Sequence, residues 1–285
     1  DNPRFPFCKG CGHTSVLRKL DEALVSLGLS PRDVVLVTDI GCIGMSDALF
    51  EKIHTVHTTH GRSTAFATGI ALADSVLANG KLKPIVLIGD GGAMIGLQHL
   101  VHAAMLNVDV TVLICNNFVY GMTGGQGSGL TPECFVTATT PQGNIVPPVD
   151  MCEILKSSNA PFVARSIATD QGLANLLKEA ITFPGFAVVE ILELCTEYAV
   201  PQNKMTGKTL LEIAEKNHWK LGMIKDSNHR MLFSDSLNVV ESSFKQSTSA
   251  RGQRLSMEFW RSNLKTPVSI LLAGSAGEKV QSAAA

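Results

Sequence analysis

Apolar positions along this chain come in two kinds, short unbroken runs and longer stretches of helical period. Val16, Leu17, Leu20, Leu24 and Leu27 recur at three- and four-residue spacing, which predicts a helix over 14–28 with Gly28 as its C-cap. Val34-Val-Leu-Val37 reads instead as a buried strand, running into the glycine-punctuated loop Asp39-Ile-Gly-Cys-Ile-Gly44. A second helix is predicted over 63–79, where Ala65, Ala67, Gly69, Ala71 and Ala73 suit close packing against a neighbour. Pro84–Ile88 predicts another buried strand, closed by the loop Gly89-Asp-Gly-Gly92. A helix over 95–106, a strand over 110–115 and the turn Asn116-Asn117 follow. Farther on, 162–167 and 186–191 read as strands around a helix at 170–182. This alternation predicts an α/β fold, a mostly parallel sheet with helices on both faces. In such sheets ligands bind beyond the carboxyl ends of strands. The loops at 41–45, 60–62 and 89–92, with 116–125, would then share one functional edge.

Other stretches are less regular. The loop 121–147 carries six glycines and three prolines, with Pro148 next, and a run this long without regular structure is expected to be functional or covered by a partner. A helical signal covers 208–224, and 226–263 has no clear period. The segment from Pro267 to Val280 reads as a strand, a glycine loop and a helix start. We therefore expect a main domain over 1–225, an extension over 226–266 and the start of a further domain over 267–285.

Charge and composition narrow the class. Lysine and arginine number 24 against 25 acidic residues, a net charge of −1, so the clustered positive face of a nucleic-acid binder is not expected. A charged fraction of only 17% suits a chain that buries surface against partner subunits. No apolar run approaches the roughly 18 residues of a membrane span. The opening Asp1-Asn-Pro-Arg4 does not read as a signal peptide, and disulfides are not expected.

Two constellations carry chemistry. Gly89-Asp90-Gly91 ends one predicted strand and Asn116-Asn117 the next, which would set Asp90 beside Asn117. Glycines on both sides of Asp90 let the backbone approach a phosphate. A carboxylate, an amide oxygen, a backbone carbonyl and phosphate oxygens form a hard shell suited to Mg²⁺. The second constellation is cysteine. Of the seven, Cys115 reads as a buried strand thiol, and Cys134 and Cys152 carry no signature. Cys8 and Cys11 form a CxxC, Cys42 sits in a glycine loop, and Cys195 follows a strand. Four thiolates converging on the sheet edge suit tetrahedral Zn²⁺ or a 4Fe-4S cluster, and the spacing fits neither a zinc ribbon nor a ferredoxin run. His54 and His57 read as ordinary polar positions; only His60 precedes a glycine at a helix start.

These motifs, in order over about residues 5 to 220, resemble the β subunit of heteromeric 2-oxoacid:ferredoxin oxidoreductases, which binds thiamine diphosphate. The resemblance is carried by Cys8-Lys-Gly-Cys-Gly-His13, Gly41-Cys42, His60-Gly61-Arg62, Gly89-Asp90-Gly91, the run from Asn116 to Gln126, and Cys195. It implies the pyrimidine/pyrophosphate-type fold of thiamine diphosphate enzymes. Mg²⁺ would be held by Asp90, Asn117 and the Val119 carbonyl, and a 4Fe-4S cluster by Cys8, Cys11, Cys42 and Cys195. The cofactor would lie against Gly41, Cys42 and Ile43, against His60, Gly61 and Arg62, along Gly89 to Gly92, and against Asn117, Val119, Tyr120, Gly121, Met122 and Thr123.

The implied reaction is oxidative decarboxylation of a 2-oxoacid with coenzyme A to acyl-CoA and CO₂. Electrons would pass one at a time through the cluster to ferredoxin. The glutamate that activates the cofactor comes from the α subunit in this family, so no acid or base is expected here and the chain alone should be inactive. The resemblance also implies the cytoplasm and low oxygen, and it makes 267–280 look like the opening of the family's γ domain. There are two departures. The family pattern reads Gly-Asp-Gly-Asp, and this chain has Gly92 at the fourth place. Some relatives carry Lys three residues after the loop cysteine, where it can meet a substrate carboxylate; here Met45 favours a monocarboxylic or apolar 2-oxoacid over 2-oxoglutarate. The rival readings are a non-oxidative thiamine diphosphate-dependent 2-oxoacid decarboxylase subunit and a non-catalytic electron-transfer subunit.

Overall fold

A computed structural model describes residues 4–78, 80–227 and 230–245, without side chains for the last three. In chain order the elements are α1 (Gly12–Leu27), β1 (Val34–Thr38), β2 (His54–His57), α2 (Ser63–Leu77), β3 (Lys83–Gly89), α3 (Asp90–Ile95), α4 (Leu97–Leu106) and β4 (Thr111–Asn116). A small hairpin, β5 (Val119–Tyr120) and β6 (Gln126–Gly127), comes next. Then follow α5 (Met151–Ser157), β7 (Phe162–Ile167), α6 (Leu173–Thr182), β8 (Ala187–Leu192), α7 (Ala199–Asn203), α8 (Gly207–Lys216), β9 (Gly222–Asp226) and α9 (Phe233–Lys245).

Seven strands form one sheet in the order β2-β1-β3-β4-β8-β7-β9, parallel throughout except for β9, which runs antiparallel to β7. The α/β fold expected from the sequence is therefore the fold found. Every residue of β1, β4, β7 and β8 is buried, as expected of strands covered on both faces. On one face Val16, Leu17 and Leu20 of α1 and Leu173 and Leu177 of α6 pack on Leu36, Leu87, Leu113 and Val189. On the other, Ala67 of α2, Leu100 of α4 and Leu155 of α5 pack on Val37, Ile88, Ile114 and Val163. A third apolar cluster, with Phe118, Leu192, Leu210 and Trp219, closes the carboxyl edge near β8. Among the described residues no helix is long and apolar enough to cross a membrane.

Two expectations are corrected. The loop Gly89–Gly92 is the start of α3, and the helix expected over 95–106 is broken at Gly96. The reason is a backbone crossing: a Cβ on Gly96 would collide with the Gly61 carbonyl, and one on Gly61 would lie 2.8 Å from Gly96 N. The helix expected over 208–224 stops at Lys216, and 222–226 instead becomes the antiparallel edge strand. Its helical period ends at His218, which takes a left-handed φ of 56°. Of the five small residues on α2 only Ala67 is buried within this chain. One compact unit ends at Ser243. The strand and glycine loop expected at 267–280 lie outside the described residues.

Candidate active site

The carboxyl ends of β1, β3 and β4 bring the glycine loops together, and a cleft of about 110 Å³ lies between them. Asp90 opens α3 at the end of β3, and Asn117 follows β4, the neighbouring strand, so both side chains line the cleft. Asp90 is fully enclosed, and burial pushes its carboxyl up to about 7, against the Ser128 hydroxyl and the Gly91 amide that pull it down. A Cβ on Gly91 would run into the Tyr120 ring, so glycine is the residue that fits there.

Asn117 is aimed by strain. The next residue, Phe118, is buried and takes a left-handed φ of 70°, a conformation that costs a bulky residue about 1–3 kcal/mol. Three hydrogen bonds hold it there. Asn116 Oδ1 accepts from Phe118 N at 3.1 Å, Thr131 Oγ1 donates to the Phe118 carbonyl at 2.6 Å, and Asn117 Oδ1 accepts from Val119 N at 3.2 Å. Each amide oxygen keeps a second lone pair. A buried acid whose proton is held only by desolvation, an amide oxygen and a backbone carbonyl fit a divalent cation with a diphosphate.

Across the cleft, His60 lies edge-on to Tyr120, with ring centres 6.4 Å apart. Its Nδ1 is 2.7 Å from Oδ1 of Asp39, a buried carboxylate at the end of β1. Gly41, Cys42, Ile43, Gly89, Gly92, Gly121, Met122 and Thr123 complete the lining. Gly41 has a φ of 128°, open only to glycine, and starts the 3₁₀ segment Cys42–Leu49 that carries Met45. Gly61 and Arg62 do not reach the lining: Gly61 packs under Gly96, and the Arg62 guanidinium bonds the Gly61 carbonyl at 3.3 Å. Of the three histidines, His54 and His57 stand on edge strand β2, and the structure brings only His60 to the cleft.

Cys8, Cys11, Cys42 and Cys195 line one further cavity of about 280 Å³. Burial raises the Cys11 thiol to about 12, helped by the charge of Glu193 and by Cys195 and Cys42. Burial likewise raises Cys42, with Cys195 and Cys8 adding. Cys11 and Cys42, whose ionisation burial and neighbouring charges oppose, stand with Cys8 and Cys195 as a four-sulfur donor set that a multivalent cationic centre would bind. The two cavities share His13, Cys42, Asn117, Gly121 and Met122. Cys115 and Cys152 are buried elsewhere and Cys134 is exposed.

Sequence reasoning missed two buried groups. Glu193, one residue beyond β8, is fully buried against His13, and neither of its oxygens has a hydrogen-bond partner among the described residues. Its place two residues before Cys195 at a parallel-strand end was the available signal. The other is a polar strut beneath the turn at Asn116. Arg165 Nε meets Glu190 Oε2 at 2.7 Å, its NH2 meets Asp150 Oδ1 at 2.5 Å, and Trp219 covers the guanidinium with its ring centre 5.1 Å away. Glu190 Oε1 accepts from Asn116 Nδ2 at 2.8 Å, which ties the strut to the strained turn. Two charges inside consecutive, wholly buried strands point to a mutual pair, although periodicity gives no partner.

Residues 39–191 match the model of the thiamine pyrophosphate enzyme C-terminal, TPP-binding domain. The chain is 38% identical over 201 residues to the 2-oxoglutarate synthase subunit KorB of Methanothermobacter marburgensis, covering 70% of this chain and 68% of that one. It is 40% identical over 217 residues to the 2-oxoacid:ferredoxin oxidoreductase subunit beta of Saccharolobus solfataricus, covering 75% and 70%. The fold matches that of a 2-oxoglutarate:ferredoxin oxidoreductase from Magnetococcus marinus, solved with 2-oxoglutarate, coenzyme A and succinyl-CoA bound. The TM-score is 0.74 at 25% identity, over 88% of this chain and 90% of that one. The two strand ends that bring Asp90 and Asn117 into one cleft lie within the matched segment, and with these relatives they show that the chain belongs to the thiamine diphosphate-binding β subunits of the 2-oxoacid:ferredoxin oxidoreductases.

Proposed function

We propose that this chain binds thiamine diphosphate with Mg²⁺ beside a 4Fe-4S cluster. In this reading it forms part of an enzyme that converts a 2-oxoacid and coenzyme A to acyl-CoA and CO₂ and delivers the electrons to ferredoxin. The observation that carries this reading is the shared wall between the two cavities: Cys42, Asn117, Gly121 and Met122 each face both. When bound, thiamine diphosphate supplies the nucleophilic carbon and the electron sink that decarboxylation needs. Asp90, the Asn117 side chain and the Val119 carbonyl hold the cation, and Gly91 and Gly92 line the cleft on the side of the diphosphate. His60, Met122 and Thr123 border the reacting end. Cys8, Cys11, Cys42 and Cys195 hold the cluster. No general acid or base is assigned to this chain. The cleft of about 110 Å³ is well below the roughly 300–1,000 Å³ of a complete small-molecule pocket, which supports an α subunit that closes it and brings the activating glutamate.

Met45 borders the cysteine cavity and offers a substrate no positive charge. This supports a monocarboxylic or apolar 2-oxoacid; preference for 2-oxoglutarate, after which some relatives are named, would instead require a cation from the partner.

The test is iron and labile-sulfide content with low-temperature EPR after dithionite, on the complex purified without air. About four irons per chain beyond those of the partners, lost in Cys42→Ser, are expected. Zinc, or no metal, in a complex that still binds thiamine diphosphate would overturn the oxidoreductase reading in favour of a non-oxidative decarboxylase.

A further inference from the structure

Asp39 is buried, pairs with no lysine or arginine among the described residues, and accepts four hydrogen bonds from a single turn. Oδ1 takes His60 Nδ1 at 2.7 Å and Gly61 N at 2.9 Å; Oδ2 takes Ser63 Oγ at 2.7 Å and Ser63 N at 3.3 Å. These are the residues that lead into α2, whose own N-cap, Arg62, makes no capping bond. Asp39 thus caps the helix from the end of β1 and fixes the ring of His60, which lines the cleft. A carboxylate can only accept, so the hydrogen resides on His60 Nδ1 and Nε2 is left without one in the neutral ring.

The same carboxylate explains Gly92, the departure from the Gly-Asp-Gly-Asp pattern. A Cβ at position 92 would lie 2.6 Å from Asp39 Oδ1, 3.0 Å from its Cγ and 2.9 Å from Ile88 Cγ1. A side chain there would point into the volume that the Asp39 carboxylate occupies.

We propose that Asp39 is a positioning residue which carries, from the end of β1, the anion that the family pattern anchors at position 92. One carboxylate holds the His60–Ser63 turn, and it has two alternative points of attachment, of which the other must be glycine. The inference rests on the thiamine diphosphate reading only for what His60 faces; the Asp39–His60 pairing and the exclusion at Gly92 are independent of it.

The exchange can be made directly. Asp39→Gly, Gly92→Asp and the double exchange are compared with wild type in the complex, titrated calorimetrically with thiamine diphosphate in the presence of Mg²⁺. Each single change is expected to weaken binding by about tenfold or more, the first by freeing the turn and the second by forcing two carboxylates into one space. The double exchange is expected to return to within about threefold of wild type, the coupling of residues that share a site. A double exchange no tighter than the weaker single overturns the proposal. Should a single variant fail to fold, the tautomer of His60 decides. In the full chain labelled with ¹⁵N at histidine, with His60→Gln for assignment, wild type is expected as the Nδ1–H form. Asp39→Asn, which can also donate, should raise the Nε2–H population severalfold. A His60 ring unmoved by Asp39→Asn overturns the proposal. Wild type that binds no thiamine diphosphate would sink the functional reading and leave the tautomer result to judge Asp39.

Discussion

The two halves of the candidate site are built on opposite plans. The Asp90–Asn117 corner sits on the ends of adjacent central strands. Its strained residue, Phe118, is tied down by Asn116 and Thr131, and the strut from Asp150 through Arg165 to Glu190 supports Asn116 from below. Nothing in that arrangement needs a ligand. The cysteine corner draws its donors from the segment before α1, a 3₁₀ segment and a strand end, with Cys8 exposed and no disulfide among them. What links them is backbone bonding, Cys11 N to the Cys8 carbonyl at 3.0 Å and Gly12 N to the Leu194 carbonyl at 3.0 Å. Under the proposed function, one corner would be preorganised for a cation at the cost of an uncomfortable acid, and the other would leave its order to be completed by the metal bound there.

The largest effect should come from the acid. Asp90 has a folded-state value of about 7 against an ordinary 3.8. The unliganded fold therefore holds this proton more tightly than the unfolded chain does. Its contribution to stability is full below about 4 and is lost as pH rises through 7, on the order of 4 kcal/mol in all. Asp90→Asn should abolish Mg²⁺-dependent binding of thiamine diphosphate and yet make the unliganded chain more stable at pH 8, by urea unfolding. In wild type, cation binding below pH 7 must expel the proton, so affinity should fall by about tenfold per pH unit there and level off above. An Asp90→Asn chain less stable than wild type at pH 8 would break the idea that this corner is strained by its empty acid.

Removing the metals separates the corners next. Under the functional reading, stripping iron should speed amide exchange in 8–13 and 42–45 by about a hundredfold, the linkage expected of a ligand held well above its Kd. Chelating Mg²⁺ should change exchange at 89–92 and 116–119 by less than about threefold. Equal loosening at both corners would remove the distinction drawn between them.

How much of this was legible in the sequence follows from the range of the forces involved. β3 and β4 were readable because their buried cores, 84–88 and 110–115, are nearly unbroken apolar runs, and the residues that end neighbouring parallel strands meet at one edge; Asp90 and Asn117 followed directly. The break at Gly96 was not, because its cause is Gly61, a residue 35 positions earlier whose backbone crosses there. The end of α8 misled for a similar reason: Leu221 to Ile224 keep an apolar character that suits either a helix or an edge strand, and only the free edge of β7 decides. Asp39 and Glu193 each follow a strand and look like ordinary polar stops. Their significance lies in what surrounds them in space, four hydrogen-bond donors from one turn in one case and a buried histidine ring in the other.

The smallest effect expected is at the strut, and it tests whether preorganisation is what the strut provides. Glu190→Gln keeps the shape of the side chain and a carbonyl oxygen for Asn116 Nδ2, but it removes the charge that faces Arg165. Asp150 still pairs with the guanidinium and Trp219 still covers it, so the fold should survive with a loss of about 2 kcal/mol, within the range for one charged hydrogen bond. The informative quantity is the effect on binding. If Asn116 is held through Glu190, and Phe118 through Asn116, loosening the first link lets the Phe118 backbone relax from its left-handed conformation and turns Asn117 and the Val119 carbonyl away from the cleft. Mg²⁺ affinity should then fall by about three- to tenfold while cluster content stays unchanged, because the cysteine corner shares Asn117 but does not depend on Phe118 for its donors. A stability loss with no change in Mg²⁺ affinity would mean that the strut supports the sheet alone, and that the strained turn is held by Thr131 and its own backbone.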